Sequence, residues 1–69
     1  MIIYVAYEGK VAVGYSRNLR KAKDMAHEKN ADEIHELRIC DVKNELHLDK
    51  VRRWKRMGWS TQFVEYPIQ

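Results

Sequence analysis

Two runs rich in Ile, Val and Tyr open the chain, at residues 2–7 and 10–15. Glu8-Gly9 separates them, and a two-residue connection containing glycine is typical of a β-hairpin. With that loop, Tyr7 opposes Lys10 at the tip of the hairpin. One face then carries Ile3, Val5, Tyr7, Ala12 and Gly14, and the other carries Ile2, Tyr4, Ala6, Val11, Val13 and Tyr15. Because both faces are apolar, we expect either a helix on each side or one face that serves as a binding or dimer surface.

Helical periodicity follows the hairpin. The apolar residues Leu19, Ala22, Met25 and Ala26 recur at helical spacing and predict a helix over roughly 17–29 that packs on the sheet. Ser16 is a plausible N-cap, and Asn30 can adopt the left-handed conformation that ends a helix. The first turn is cationic, with Arg17, Arg20 and Lys21 at the positive end of the helix dipole, where they would suit a phosphate or a carboxylate.

The second half of the chain admits two interpretations. Residues 33–42 predict a third strand, with Leu37 and Ile39 on one face. A stripe of residues three apart then predicts a second helix, capped by Asn44 or Asp49; it comprises Leu48, Val51, Trp54 and Met57, with Gly58 just past its end. The rival interpretation makes Lys43-Asn44 a turn and residues 45–48 a short strand.

A last strand over residues 61–66 is closed by Pro67, which suits a sheet edge. The predicted fold is therefore α+β: one small domain over residues 1–69, in the order ββαβαβ, with a mainly antiparallel sheet and two helices.

Composition narrows the class of protein. With 45% hydrophobic residues and one proline in 69 residues, the chain is too apolar to be disordered. Its single cysteine, Cys40, cannot form an internal disulfide, which favours the reducing cytoplasm. The apolar stretch at residues 2–6 is too short for a signal peptide or a membrane span. We expect a soluble, cytoplasmic protein without membrane contact.

Charge is segregated along the chain. Nine of thirteen cationic residues lie in segments 17–23 and 50–56, while eight of ten acidic residues lie between Asp24 and Asp49. Cationic residues near tryptophan are typical of surfaces that bind nucleic acid or an acidic protein. The candidate binding residues are Arg17, Arg20, Lys21, Arg52, Arg53, Lys55 and Arg56 for charge, with Trp59 for stacking. The plainer alternative is a solvated cationic helix face with Trp54 in the core.

No pattern of catalytic or metal-binding residues is present. His35, Cys40 and His47 match no close ligand spacing, and on a strand His35 and Cys40 would point to opposite faces. Cys40 fits a small, half-buried apolar position. Nucleophile–base pairs and glycine-rich phosphate loops are also lacking, so we expect no enzyme, cofactor or metal. Four tyrosines lie on predicted strands, as in single-strand RNA binders, but core or cross-strand packing is the favoured interpretation; they are Tyr4, Tyr7, Tyr15 and Tyr66.

In size, single free cysteine, opening strand at Met1-Ile2-Ile3-Tyr4 and lack of a catalytic motif, the chain resembles the small proteins that bacteriophages encode to redirect host machinery. The resemblance implies a protein that acts by occupying a surface of a nucleic acid or a host enzyme, and it assigns no residue a role.

These observations leave three hypotheses. The first is a non-enzymatic module that engages nucleic acid, or a nucleic-acid-processing complex, through the basic helix. The second is an inhibitor or adaptor that blocks a host enzyme through the apolar hairpin face. The third is a homodimer closed over that same face.

Overall fold

The computed structural model describes residues 1–58 and 62–67 as five strands and one helix. They are β1 (Ile2–Glu8), β2 (Val11–Ser16), α1 (Leu19–Glu28), β3 (Glu33–Val42), β4 (Glu45–Arg56) and β5 (Phe63–Tyr66). The strands form one sheet in the order β2-β1-β3-β4-β5, and every neighbouring pair is antiparallel. The prediction of an α+β fold with a mainly antiparallel sheet is confirmed. The order ββαβαβ with two helices is wrong, since the chain runs ββαβββ.

The first hairpin exists, but its turn lies one residue later than predicted. Gly9 takes a φ of 62°, and Gly9-Lys10 forms the turn so that Glu8 pairs with Val11. A bulge then shifts the register, and Gly14 comes opposite Ala6 while Tyr15 comes opposite Val5. The predicted faces therefore hold as far as Ala12, but beyond the bulge Gly14 and Tyr15 exchange sides.

The helix α1 is shorter than predicted at its start. Asn18 is the N-cap, and its side chain accepts a hydrogen bond from the Lys21 amide at 3.2 Å. Ser16, the predicted cap, instead accepts from the Asn18 amide at 3.1 Å. Asn30 takes the predicted left-handed conformation, with a φ of 62°.

The predicted second helix is a strand. The rival interpretation is correct for the turn at Lys43-Asn44 and for the start of the strand at Glu45, but its strand over residues 45–48 is too short. Lys43 and Asn44 have φ values of 52° and 66°, the two positive values of a tight hairpin turn, and Val42 pairs with Glu45. The strand β4 then runs to Arg56. The register with β3 shifts between Glu36 and Leu37. The alternation of side chains along β4 therefore reverses at the shift: even-numbered residues before it and odd-numbered residues after it lie on the same face of the sheet.

This shift explains the misleading stripe of residues three apart. Leu48 lies opposite Ile39 on one face of the sheet, whereas Trp54 lies opposite Ile34 on the other. Two of the cations beside the stripe lie opposite acidic residues of β3 in the register: Arg52 opposes Glu36 and Lys55 opposes Glu33. Opposite charges across a strand pair stabilise a sheet. A pattern that resembled one helical face is therefore two half-faces of a strand joined by a bulge.

The core lies between α1 and one face of the sheet. Its buried residues are Ala6, Ala22, Ala26, Ala31, Ile34, Trp54 and Phe63, and Tyr4, Val13, Leu19 and Met25 pack against them. Trp54 is the buried tryptophan that a core this small requires, with the Tyr4 ring 6.0 Å from it. Within residues 1–58 and 62–67, α1 is the only helix, and it is too short to cross a membrane.

Candidate functional site

The sheet face opposite α1, here called the open face, has no described element packed on it. Strand alternation and the observed registers assign its side chains. They are Ala12 and Tyr15 on β2; Ile3, Val5 and Tyr7 on β1; Glu33, His35, Leu37, Ile39 and Asp41 on β3; Leu46, Leu48, Lys50, Arg53 and Lys55 on β4; and Val64 and Tyr66 on β5. The face therefore combines aromatic, aliphatic and cationic side chains.

Tyr66 lies between two cations on this face. Lys55 Nζ is 5.6 Å and Arg53 Cζ is 6.0 Å from the centroid of the Tyr66 ring. The Tyr66 hydroxyl donates to Met57 Sδ at 3.3 Å, and Arg53 Nη2 donates to the Pro67 carbonyl oxygen at 3.4 Å. These contacts hold an aromatic ring and two positive charges at fixed positions beside one another.

A second aromatic pair lies on the neighbouring strands. The rings of Tyr7 and His35 are 4.5 Å apart at an angle of 41°, and His35 Nε2 is 3.3 Å from Glu33 Oε1. Burial lowers the pKa of His35, and the nearby charges of Lys50 and Arg53 lower it further, against the opposing effect of Glu33. The lowered pKa favours the neutral ring of His35, whose side chain is 14% exposed.

The open-face cations differ in how far they are neutralised. Arg53 Nε lies 3.9 Å from Glu33 Oε1, an ion pair too long for a hydrogen bond. Among the residues that the structure describes, no carboxylate lies within 4.0 Å of Lys50 or Lys55. Lys50 and Lys55 are thus available to an anionic ligand, and Arg53 partly so.

Two of the predicted binding residues, Arg52 and Arg56, lie on the helix side of the sheet. Arg52 Nη2 is 2.7 Å from an oxygen of Glu36, which is only 4% exposed, and this hydrogen-bonded contact raises the pKa of Arg52. Arg56 donates to the Ala26 carbonyl oxygen at 3.3 Å and to Asn30 Oδ1 at 3.4 Å. Their contacts are structural: Arg52 satisfies a buried acid, and Arg56 ties the end of α1 to the sheet.

The cations of the first basic segment also lie away from the open face. Arg17, Arg20 and Lys21 are exposed around the start of α1, which packs on the face opposite the open face. Of the cations in segment 50–56, only Arg52 and Arg56 therefore share the helix side with them, while Lys50, Arg53 and Lys55 lie on the open face. Trp59 lies outside the described residues.

Of the residues on the open face, only Arg53 and Lys55 were predicted from the sequence to bind a ligand. Packing was the favoured interpretation for Tyr7, Tyr15 and Tyr66, and His35 and Lys50 were not among the candidate binding residues. The available signal was the alternation Arg53-Trp54-Lys55, in which a core residue separates two cations as on a half-buried strand. Extending the rival strand interpretation from residue 48 to 56 would have placed both cations on the open face.

The hairpin end of the open face is apolar. A shallow depression of about 430 Å³ is lined there by Ile3, Val5, Ala12, Val13, Gly14 and Tyr15. The Tyr15 side chain is 69% exposed beside it. An apolar end and a cationic end thus share one uncovered surface.

No protein-family model, characterised protein or solved structure matches the chain at a significant level.

Proposed function

We propose that this protein is a non-enzymatic module that binds single-stranded nucleic acid on the open face of its sheet. The observation that carries the proposal is the presence on this one uncovered face of tyrosine and histidine rings together with cations; they are Tyr7, Tyr15, Tyr66, His35, Lys50, Arg53 and Lys55. Aromatic platforms with adjacent basic groups are the means by which sheet surfaces bind single strands.

Each part of the face has a role in this arrangement. Bases stack on the Tyr66 ring and on the exposed Tyr15, while the adjacent Tyr7–His35 pair offers a third flat surface. Phosphates lie against Lys50 and Lys55, with Arg53 contributing where Glu33 leaves it free. Because the bases of a duplex are already stacked on each other, such a face favours single strands.

Fluorescence anisotropy with a labelled single-stranded oligonucleotide and its duplex tests the proposal. We expect tighter binding of the single strand, and a loss of roughly 5- to 150-fold in Tyr66→Leu, since one base–aromatic stack contributes about 1–3 kcal/mol. Met57→Leu is the matched control, because it removes the partner of the Tyr66 hydroxyl and keeps the ring. Equal affinity for both nucleic acids, or an unaffected Tyr66→Leu variant, would contradict the proposal.

The apolar depression supports a second candidate function, a protein-binding inhibitor or adaptor of the kind that bacteriophages encode. Its lining is apolar and has no described covering element, as expected of a protein-binding patch. A complex of this kind would persist after nuclease treatment and at high salt. Ala12→Asp would abolish it while Tyr66→Leu would not, which is the reverse of the pattern expected for nucleic acid.

For either function we place the protein in the cytoplasm, where the free thiol of Cys40 stays reduced.

A further inference from the structure

The β3–β4 hairpin continues beyond the rest of the sheet as a two-stranded arm over residues 40–47. The pairing of β1 with β3 ends at Arg38, and β5 pairs with β4 only from Arg53 onward. Within the described residues, no strand pairs with the outer edge of β4 between Glu45 and Arg52. The molecule is correspondingly elongated, at 44 × 24 × 20 Å. A long unpaired strand edge is a ready surface for pairing with another strand.

The direction of the free backbone groups follows from the contacts of Ile39. Its amide donates to the Met1 carbonyl oxygen at 2.7 Å, and its carbonyl accepts from the Met1 amino group at 3.2 Å, so both groups point away from β4. In an antiparallel pair, Leu48 opposite Ile39 must then point its own groups away from β3. The same alternation turns the backbone groups of Leu46 and Lys50 to the free edge.

The side chains at this edge are also unburied. Leu46 is 76% and Leu48 is 63% exposed, and both lie on the open face. An isolated two-stranded hairpin is marginally stable in water. Exposed leucines beside outward-pointing backbone groups are the features that strand pairing would cover.

We propose that a second copy of this chain pairs with the free edge, antiparallel, about a twofold axis through Leu48. In this register Leu48 faces the partner's Leu48, Leu46 faces the partner's Lys50, and His47 faces the partner's Asp49. The pairing runs over residues 45–51 of both chains. Outward backbone groups meet outward backbone groups at every hydrogen-bonded position.

Charge and length select this register over its neighbours. An axis through His47 would set Glu45 against the partner's Asp49 twice, and an axis through Asp49 would oppose the two copies of that carboxylate. Like charges directly opposite each other destabilise a strand pair. An axis through Leu46 avoids repulsion but pairs only residues 45–47, because the turn at Lys43-Asn44 ends the strand.

Sedimentation of the wild-type chain across a dilution series tests the association. We expect a species of twice the 8.3 kDa chain mass that dissociates on dilution. Leu48→Glu should weaken dimerisation by at least roughly tenfold, since it removes apolar contact and opposes two carboxylates. Val11→Glu, an equally exposed change on the other edge strand β2, should leave it unchanged. A wild-type chain that is monomeric throughout, or a Leu48→Glu variant that dimerises normally, overturns the proposal.

Disulfide trapping tests the register. In a Cys40→Ser background, Leu48→Cys brings two thiols together at the axis, with Cα atoms about 5.5 Å apart in a hydrogen-bonded pair, within disulfide range. Leu46→Cys moves the thiols four residues apart along the strand, about 13 Å, which is too far. Rapid crosslinking of Leu48→Cys alone supports the proposal, and equal or faster crosslinking of Leu46→Cys overturns it.

Discussion

Two charge-matched variants distinguish the open face from the basic start of α1. One replaces Lys50, Arg53 and Lys55 with Gln, and the other replaces Arg17, Arg20 and Lys21 with Gln. Each removes three positive charges and takes the formal net charge from +3 to zero. A purely long-range effect of net charge is therefore the same in both variants, and any difference between them reports local contact with the ligand.

The magnitude follows from counterion release. Each phosphate contact to a single strand contributes about 0.7 to the slope of log affinity against log salt. Three contacts would give a slope change of about 2 in the open-face variant, and somewhat less where Arg53 remains engaged by Glu33 at 3.9 Å. The helix variant should change the slope by much less than the value of about 0.7 that one phosphate contact contributes. We therefore expect the slope to fall by about 1.5–2 in the open-face variant only.

The assay is anisotropy of an oligonucleotide of about eight nucleotides, a length that a small sheet domain covers, repeated at several salt concentrations. Circular dichroism of each variant verifies that it remains folded, as expected for residues that are exposed or half-buried. Equal slope changes in the two variants, or a larger change in the helix variant, would refute the placement of the site on the open face.

Three further predictions concern the scaffold that holds this face. Burial lowers the folded-state pKa of His35 below its usual 6.5, so its contribution to the free energy of unfolding is complete above pH 6.5 and is lost as pH falls through the lower folded pKa. The melting temperature should therefore fall between pH 7 and pH 5, and by less in His35→Gln. An identical fall in the variant would exclude His35 as its source. Asn18→Ala should lower the free energy of unfolding by about 0.5–2 kcal/mol through loss of the N-cap, while Asn18→Asp should retain it, as urea titration will measure. Ile34→Val should cost about 0.5–1.5 kcal/mol and Ile34→Ala about 2–5 kcal/mol, since this side chain is fully buried; a negligible loss in Ile34→Ala would show that Ile34 does not anchor the core.

The elements of the first half of the chain could be predicted because their signals are local. The alternation of β1 and β2 and the helical spacing of Leu19, Ala22 and Ala26 each lie within about fifteen residues. The errors there are small and have local causes. The turn moved by one residue because Gly9 takes the first turn position, and the helix start moved because Asn18 caps it in place of Ser16.

The identity of β4 could not be read from its own residues. A three-residue apolar spacing is compatible with a helix, and only pairing with β3, through Glu36 opposite Arg52 and Ile34 opposite Trp54, makes it a strand. Those pairs are 16 to 20 residues apart in sequence. Tertiary pairing overrode local periodicity, as is common for strands.

The open face depends on this same strand, which is why most of its residues were missed. As a helix, β4 would have placed its cations in one cluster. As a strand it turns Arg52 inward to Glu36 and Arg56 to the end of α1. It turns Lys50, Arg53 and Lys55 to the open face. Two of the five cations in segment 50–56 therefore have structural contacts, which sequence composition does not reveal.

This division of the basic segment limits how strongly one chain can bind. Three open-face cations support at most about three phosphate contacts, a salt slope of roughly 2. The twofold axis of the proposed edge pairing at Leu48 is perpendicular to the sheet, so both open faces lie on the same side of one continuous sheet. A long strand could then cross both faces, and the second contact would be intramolecular.

The two proposals together predict a dependence on oligonucleotide length. With about thirty nucleotides, at protein concentrations where the wild type is dimeric, the slope should approach 4, whereas monomeric Leu48→Glu should remain near 2. With about eight nucleotides, which reach one face only, both proteins should give a slope near 2. A long strand that yields the same slope with dimeric wild type and monomeric Leu48→Glu would show that the two faces bind independently, because no phosphate contacts would then be added by joining them.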